Sequence, residues 1–159
     1  MTPELIQSFQ EQYTQERTNE AIYTRFAEVM DNLAWDGFAK HFHKAADEER
    51  GHAQGIADFL VDLNVEPIVA ALPTAPQARD VTGVFKAALA LEEQNTLRLA
   101  ALCDAAMANS DYIALEFLLP YMKEQRVSVR EYTDITIQLD RAGGDNAAIL
   151  QLDERLGGG

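Results

Sequence analysis

The sequence predicts an all-α fold: a four-helix bundle with one long crossover connection plus a short C-terminal fifth helix. Three observations point there. Apolar residues recur every three to four positions over long stretches, the pattern of helices with one inward face. No convincing period-2 run bounded by turn residues marks a strand. The breaks between the long periodic segments come in the order short, long, short, which is the spacing of a bundle with a single crossover.

The first helix is expected over about 3–33. Thr2 suits the N-cap, Pro3 the first helical position and Glu4 the positive end of the helix dipole. Its inner stripe reads Leu5, Phe9, Tyr13, Glu16, Glu20, Tyr23, Phe26, Met30 and Leu33. A break at about Trp35–Gly37 leads to a second helix over about 37–63, with Phe42, Ala45, Glu49, His52, Ile56, Phe59 and Leu63 on its stripe. The segment 64–80 carries Pro67, Pro73 and Pro76 and reads as a connection running the length of the bundle, so that the helices on either side of it are parallel. Asp80 caps a third helix, 81–108, whose stripe is Val81, Phe85, Ala88, Glu92, Thr96, Leu99, Cys103 and Ala106. The turn Asn109-Ser110-Asp111 opens a fourth, 112–141, with Leu118, Tyr121, Gln125, Ser128, Tyr132, Ile135 and Leu139 facing inward. Pro120 inside it predicts a kink. Gly143-Gly144 ends that helix, and a short fifth over 146–156 carries Ile149, Leu150, Leu152 and Leu156.

Composition removes several function classes. The 159 residues suffice for one domain with a real core, and 47% hydrophobic content argues against disorder. A formal net charge of −13 argues against a general nucleic-acid or anionic-membrane surface and favours a protein that attracts cations. The single cysteine, Cys103, has no partner for an intramolecular disulfide and reads as a small core residue. No stretch is apolar for long enough to span a membrane, and MTPELIQSFQ lacks a basic-then-apolar signal pattern, so a cytoplasmic location is expected. Phosphate loops, nucleophile elbows and C-x-x-C pairs are missing.

Each inner stripe is broken by a polar residue: Glu16, then Glu49 with His52, then Glu92, then Gln125. Glu16, Glu49, Glu92 and Gln125 each lie about 11 to 13 residues into their helices, and at a rise of about 1.5 Å per residue the midpoints coincide whichever way a helix runs. The side chains are therefore expected to meet in one layer. A buried carboxylate requires compensation, and Glu-x-x-His places an oxygen and a nitrogen donor on one face of a helix. Carboxylate-rich ligation with one imidazole favours iron or manganese over structural zinc. A carboxylate bridging two irons, here Glu49, holds them close enough for O2 to take an electron from each. Tyr23, two turns beyond Glu16, is expected beside the metals, hydrogen-bonded to a ligand. Glu93 lies roughly 100° round the helix from Glu92 and reads as solvent-facing. Glu20 is ambiguous, and His41 and His43 read as surface residues.

With these residues in place the chain resembles a non-haem bacterial ferritin over essentially its whole length. The resemblance rests on Glu16 with Tyr23, on E49-x-x-H52, on Glu92 in LALEEQ and on Gln125 in MKEQ, together with MANSDY at 107–112 and LDRAGGDNAAILQLDERL at 139–156. It implies a hollow 24-subunit shell whose chains oxidise Fe(II) with O2 or H2O2 and store ferric mineral inside. By the family pattern Glu16, Glu49 and His52 hold the first iron, and Glu49 and Glu92 hold the second, with Gln125 nearby. The second Glu-x-x-His of bacterioferritins and rubrerythrins is missing, because Val127 stands three residues after Glu124. Arg50 occupies the place of the bacterioferritin haem methionine, so no haem is expected. A third iron position in some bacterial ferritins uses four glutamates. Glu48 and Glu124 match two of them, while Val127 and Ser128 stand at the others, so that site is expected to be weak. The acidic threefold-channel positions of animal ferritins correspond to Leu115 and Leu118, which points to another pore. The alternative reading is a non-storing di-iron oxidase or peroxidase of small oligomeric state.

Overall fold

The computed structural model describes residues 1–158. Five helices follow one another: α1 (Pro3–Asn32), α2 (Asp36–Asp62), α3 (Val81–Ala108), α4 (Tyr112–Ala142) and α5 (Asn146–Gly158). Three start on the residues whose chemistry suits a start. Thr2 Oγ1 accepts from Leu5 N at 3.3 Å, Asp80 Oδ1 from Gly83 N at 2.8 Å, and Asp111 Oδ1 from Ala114 N at 3.1 Å, each satisfying an otherwise orphaned helix donor. Helix α4 closes on Gly143 in the left-handed region, φ 57°, where a residue without a Cβ is unstrained. It runs unbroken through Pro120, which is exposed, so the carbonyl left without its helical donor can reach water.

Helix α2 is capped from outside. Trp35 offers no side-chain cap, and Asp153 of α5 supplies one instead: its Oδ1 accepts from Phe38 N at 2.7 Å, and Asp153 itself is buried. The approach is at backbone distance. A Cβ on Gly37 would fall 1.9 Å from the Asp153 carbonyl oxygen, and one on Gly157 would fall 2.4 Å from Gly37 Cα. Two glycines thus let α5 cross the start of α2.

The core is divided. One apolar cluster joins the C-terminal halves of α1 and α4 to the N-terminal halves of α2 and α3 and to α5, around Tyr23, Phe26, Phe38, Phe42, Phe85 and Tyr132. The other joins the opposite halves, around Leu5, Phe9, Ile56, Leu60, Leu99 and Leu118. This arrangement fixes the directions: α1 and α4 run one way, α2 and α3 the other. The connection 63–80 spans the bundle and is strapped to α1, with Gln10 Nε2 donating to the Glu66 carbonyl at 2.7 Å and Thr14 Oγ1 accepting from Ala70 N at 3.1 Å.

The stripes differ from expectation in rotation. On α2 the expected Phe42, Glu49 and Ile56 are buried, but Ala46, Ala53 and Leu60 are buried beside them, while Ala45, Phe59 and Leu63 are half-buried. On α3, Asn95 and Leu102 are buried, and Thr96 and Cys103 are half-buried. A stripe traced at one residue per turn leaves room for a neighbour on either side, and packing against two helices selects among them. Leu33 is exposed and Glu20 half-buried on the surface side of α1. Leu118 is fully buried in the second cluster and Leu115 packs against it, so both serve this chain's own core.

Candidate metal centre

Between the two apolar clusters lies a layer of polar side chains. Glu16 (α1), Glu49 (α2), Glu92 (α3) and Gln125 (α4) are all buried, at no more than 5% exposure. Each comes from mid-helix, where the stripe that builds the clusters is interrupted. His52 stands one turn beyond Glu49, with its side chain 26% exposed. Donor atoms of Glu16, Glu49 and His52 lie within 4.8 Å of one another. His52 Nδ1 faces the two carboxylates, 3.7 Å from Glu49 Oε2 and 3.9 Å from Glu16 Oε2. Its other nitrogen, Nε2, is 2.9 Å from Glu124 Oε2. That is the arrangement of a metal-binding imidazole held by a carboxylate behind it.

Glu92 sits apart from this triad. The Tyr23 hydroxyl donates to its Oε1, and Gln125 Nε2 donates to its Oε2 at 2.5 Å. Tyr23 therefore lies against a carboxylate of the layer, and its ring stacks on Tyr132 at 6.0 Å between centroids. A cavity of about 60 Å³ touches Tyr23, Glu49, His52, Glu92 and Gln125 and runs out between α2 and α4 past Glu48 and Glu131. Those two helices stand apart, whereas α1 packs closely on α2 and on α3.

The electrostatics suit a cation. Burial, then the neighbouring Glu49, holds the Glu16 carboxyl well above its ordinary range. Burial and the charge of Glu49 raise Glu92 to about 7. Burial alone would raise Glu49 as well, but Glu16 and His52 outweigh it and keep this carboxylate ionised. Burial would lower His52; Glu49 and Glu124 overcome it and bring the imidazole to about 9. Glu16 Oε2 is buried with no hydrogen-bond partner. An orphaned carboxylate oxygen facing a second carboxylate and an imidazole nitrogen fits a divalent cation with oxygen and nitrogen ligands.

Several participants escaped the sequence reading. Gln12 and Asn95 are buried amides within the layer, and Asn19 Nδ2 reaches Glu49 Oε2 at 3.4 Å. His41 was expected at the surface; it is half-buried, its Nε2 3.3 Å from the Tyr132 hydroxyl, with burial lowering its pKa to about 4. His43 is exposed beside Asp31. Glu93 is exposed, and Glu20 pairs with Arg50 at 2.7 Å on the surface. Glu48 is exposed near Lys44. No helix among the described residues is long and apolar enough to cross a membrane.

The chain matches the ferritin-like domain family over residues 6–142. It is similar to a bacterial non-haem ferritin of Staphylococcus saprophyticus, 27% identical over 98% of this chain and 94% of that protein. It is also similar to one of Staphylococcus epidermidis, 29% identical over 98% of this chain and 95% of that protein. In structure it is similar to the open pore ferritin of Archaeoglobus fulgidus, with a TM-score of 0.95 at 24% identity, over 99% of this chain and 98% of that one.

Proposed function

Because the chain belongs to the ferritin-like domain family, we propose that the mid-bundle layer is a ferroxidase centre. In this reading Fe(II) is the substrate, O2 or H2O2 the oxidant, and the ferric product is stored as mineral inside a homo-oligomeric shell of 24 chains in the cytoplasm. The observation that carries the reading is the buried, unpartnered Glu16 Oε2, facing Glu49 and His52.

Glu16, Glu49 and His52 Nδ1 receive the first Fe(II). Glu49 extends to a second position completed by Glu92, with Gln125 beside it. Glu124 holds His52 Nε2, which keeps the opposite nitrogen turned inward. Tyr23 holds Glu92. Each Fe(II) gives up one electron. H2O2 takes two electrons and two protons to become two waters; O2 takes two of each to become H2O2. A cation displaces the proton on His52, and those on Glu16 and Glu92 where they are present, because ligands bind deprotonated.

Aerobic Fe(II) loading, size exclusion and an iron count per chain test this. Many irons per chain in a peak of several hundred kilodaltons support storage. About two per chain in a small oligomer, the count a two-metal site allows, move the function to a non-storing oxidase. Glu49→Ala removes fast oxidation more completely than Glu92→Ala, because Glu49 serves both positions. The reverse order overturns the ligand assignment.

A further inference from the structure

A directed chain of amides crosses the layer. Gln12 Nε2 donates to Glu16 Oε1 at 2.5 Å and to Asn95 Oδ1 at 2.9 Å. Asn95 Nδ2 donates to Gln125 Oε1 at 3.0 Å. Gln125 Nε2 donates to the Glu92 backbone carbonyl at 2.9 Å and to Glu92 Oε2 at 2.5 Å. A backbone carbonyl can only accept, so it fixes which end of the Gln125 amide carries the hydrogens. Gln125 Oε1 then requires a donor, which Asn95 provides, and Asn95 Oδ1 in turn receives Gln12. Every amide orientation follows from the ends of the chain, and all three amides are buried at no more than 5% exposure.

The geometry points to Asn95 as a positioning residue that withholds Gln125 from the second cation: by occupying Gln125 Oε1 it reinforces the orientation that the Glu92 carbonyl selects and holds that amide donating hydrogens to Glu92. This rests on the reading that the layer takes two cations. The Gln125 amide then presents hydrogens, not a ligand oxygen, to the side of the layer where Glu92 lies. The carboxyl that completes the second position already accepts from Tyr23 and from Gln125. At the position formed by Glu16, Glu49 and His52, Gln12 holds Glu16 Oε1 and Asn19 reaches Glu49 Oε2, but Glu16 Oε2 accepts from no donor. Asn95 thereby makes the two positions unequal and sets the order in which they fill. Replacing it by a residue with no donor leaves Gln125 Oε1 buried and unpaired, an unfavourable state relieved when that oxygen turns onto a cation.

The test is Co(II) titration of the whole assembled protein under argon, by calorimetry and visible absorption. Wild type is expected to bind in two unequal steps. In Asn95→Leu the second step tightens about tenfold, the scale on which outer partners tune metal affinity, the first step is unchanged, and the absorption bands shift as an oxygen ligand is added. Asn95→Asp, which turns an acceptor toward Gln125 and favours the reversed amide, changes the second step in the same direction and serves where the leucine variant does not fold. Adding Gln125→Leu in either background cancels the gain, which separates a ligand effect from a change in packing or charge. A second step unmoved by both substitutions, or a gain that survives Gln125→Leu, overturns the role of Asn95 while leaving the two-cation centre intact. Absence of any Co(II) binding by wild type overturns both.

Discussion

His52, Glu92 and Glu16 all hold protons more tightly than the same side chains in water, for the reasons given above. Cation binding must displace those protons, so affinity for a non-oxidised cation such as Zn(II) should rise as pH increases toward about 9, where His52 becomes neutral, and weaken below about 7, where Glu92 takes up a proton. Titration in two buffers of different ionisation enthalpy checks this: at pH 7 at least one proton should be released per first cation. The sign for the metal-free protein is opposite. A folded-state pKa raised above its unfolded value contributes stability at low pH that is lost as pH rises. His52 loses its contribution between about 6.5 and 9, and Glu92 loses its own between about 4.5 and 7. His41, lowered to about 4, adds stability as pH rises from about 4 to 6.5 and opposes the Glu92 loss there, so the metal-free melting temperature should fall from about pH 6.5 toward pH 9, and bound cation should flatten that fall. At this scale the glutamates and the histidine were legible in the sequence, because a charge on an apolar stripe demands an explanation. Asn95 and Gln12 were not. A neutral amide one residue off the traced stripe gives no such signal, and its role depends on which partner each hydrogen meets.

Among the elements, α5 is held by an unusually close crossing. Asp153→Ala removes the external cap of α2 and should cost about 1–2 kcal/mol. Gly37→Ala should cost more, because its Cβ meets the backbone oxygen of Asp153, which cannot turn aside as a side chain tip can. Thermal denaturation ranks the two, and limited proteolysis after Gly144 reports whether α5 has come loose; equal melting temperatures would contradict the crossing. The caps at Thr2, Asp80 and Asp111 and the stop at Gly143 were legible because each satisfies a local rule. The cap of α2 was not, since its acceptor lies 115 residues along the chain from the amide it serves. Stripe rotation escaped for the same reason: which of two adjacent positions is buried is decided by the neighbouring helix.

For the whole molecule, a net charge of −13 surrounds a cavity that opens between α2 and α4 past Glu48 and Glu131. Under the proposed function Fe(II) is drawn in by that field, so initial oxidation rates should fall by roughly tenfold from low to high ionic strength at constant pH. A rate insensitive to salt would mean that capture is not electrostatic. The division of the core has a different consequence. The two apolar clusters share no residue and are separated by the polar layer, so a substitution in one has no common partner with a substitution in the other, and their effects on stability should simply add. An engineer wanting a more heat-resistant variant therefore has two independent blocks to repack, around Phe85 and around Leu60, and can improve both in parallel while keeping Tyr23, which ties the first block to Glu92.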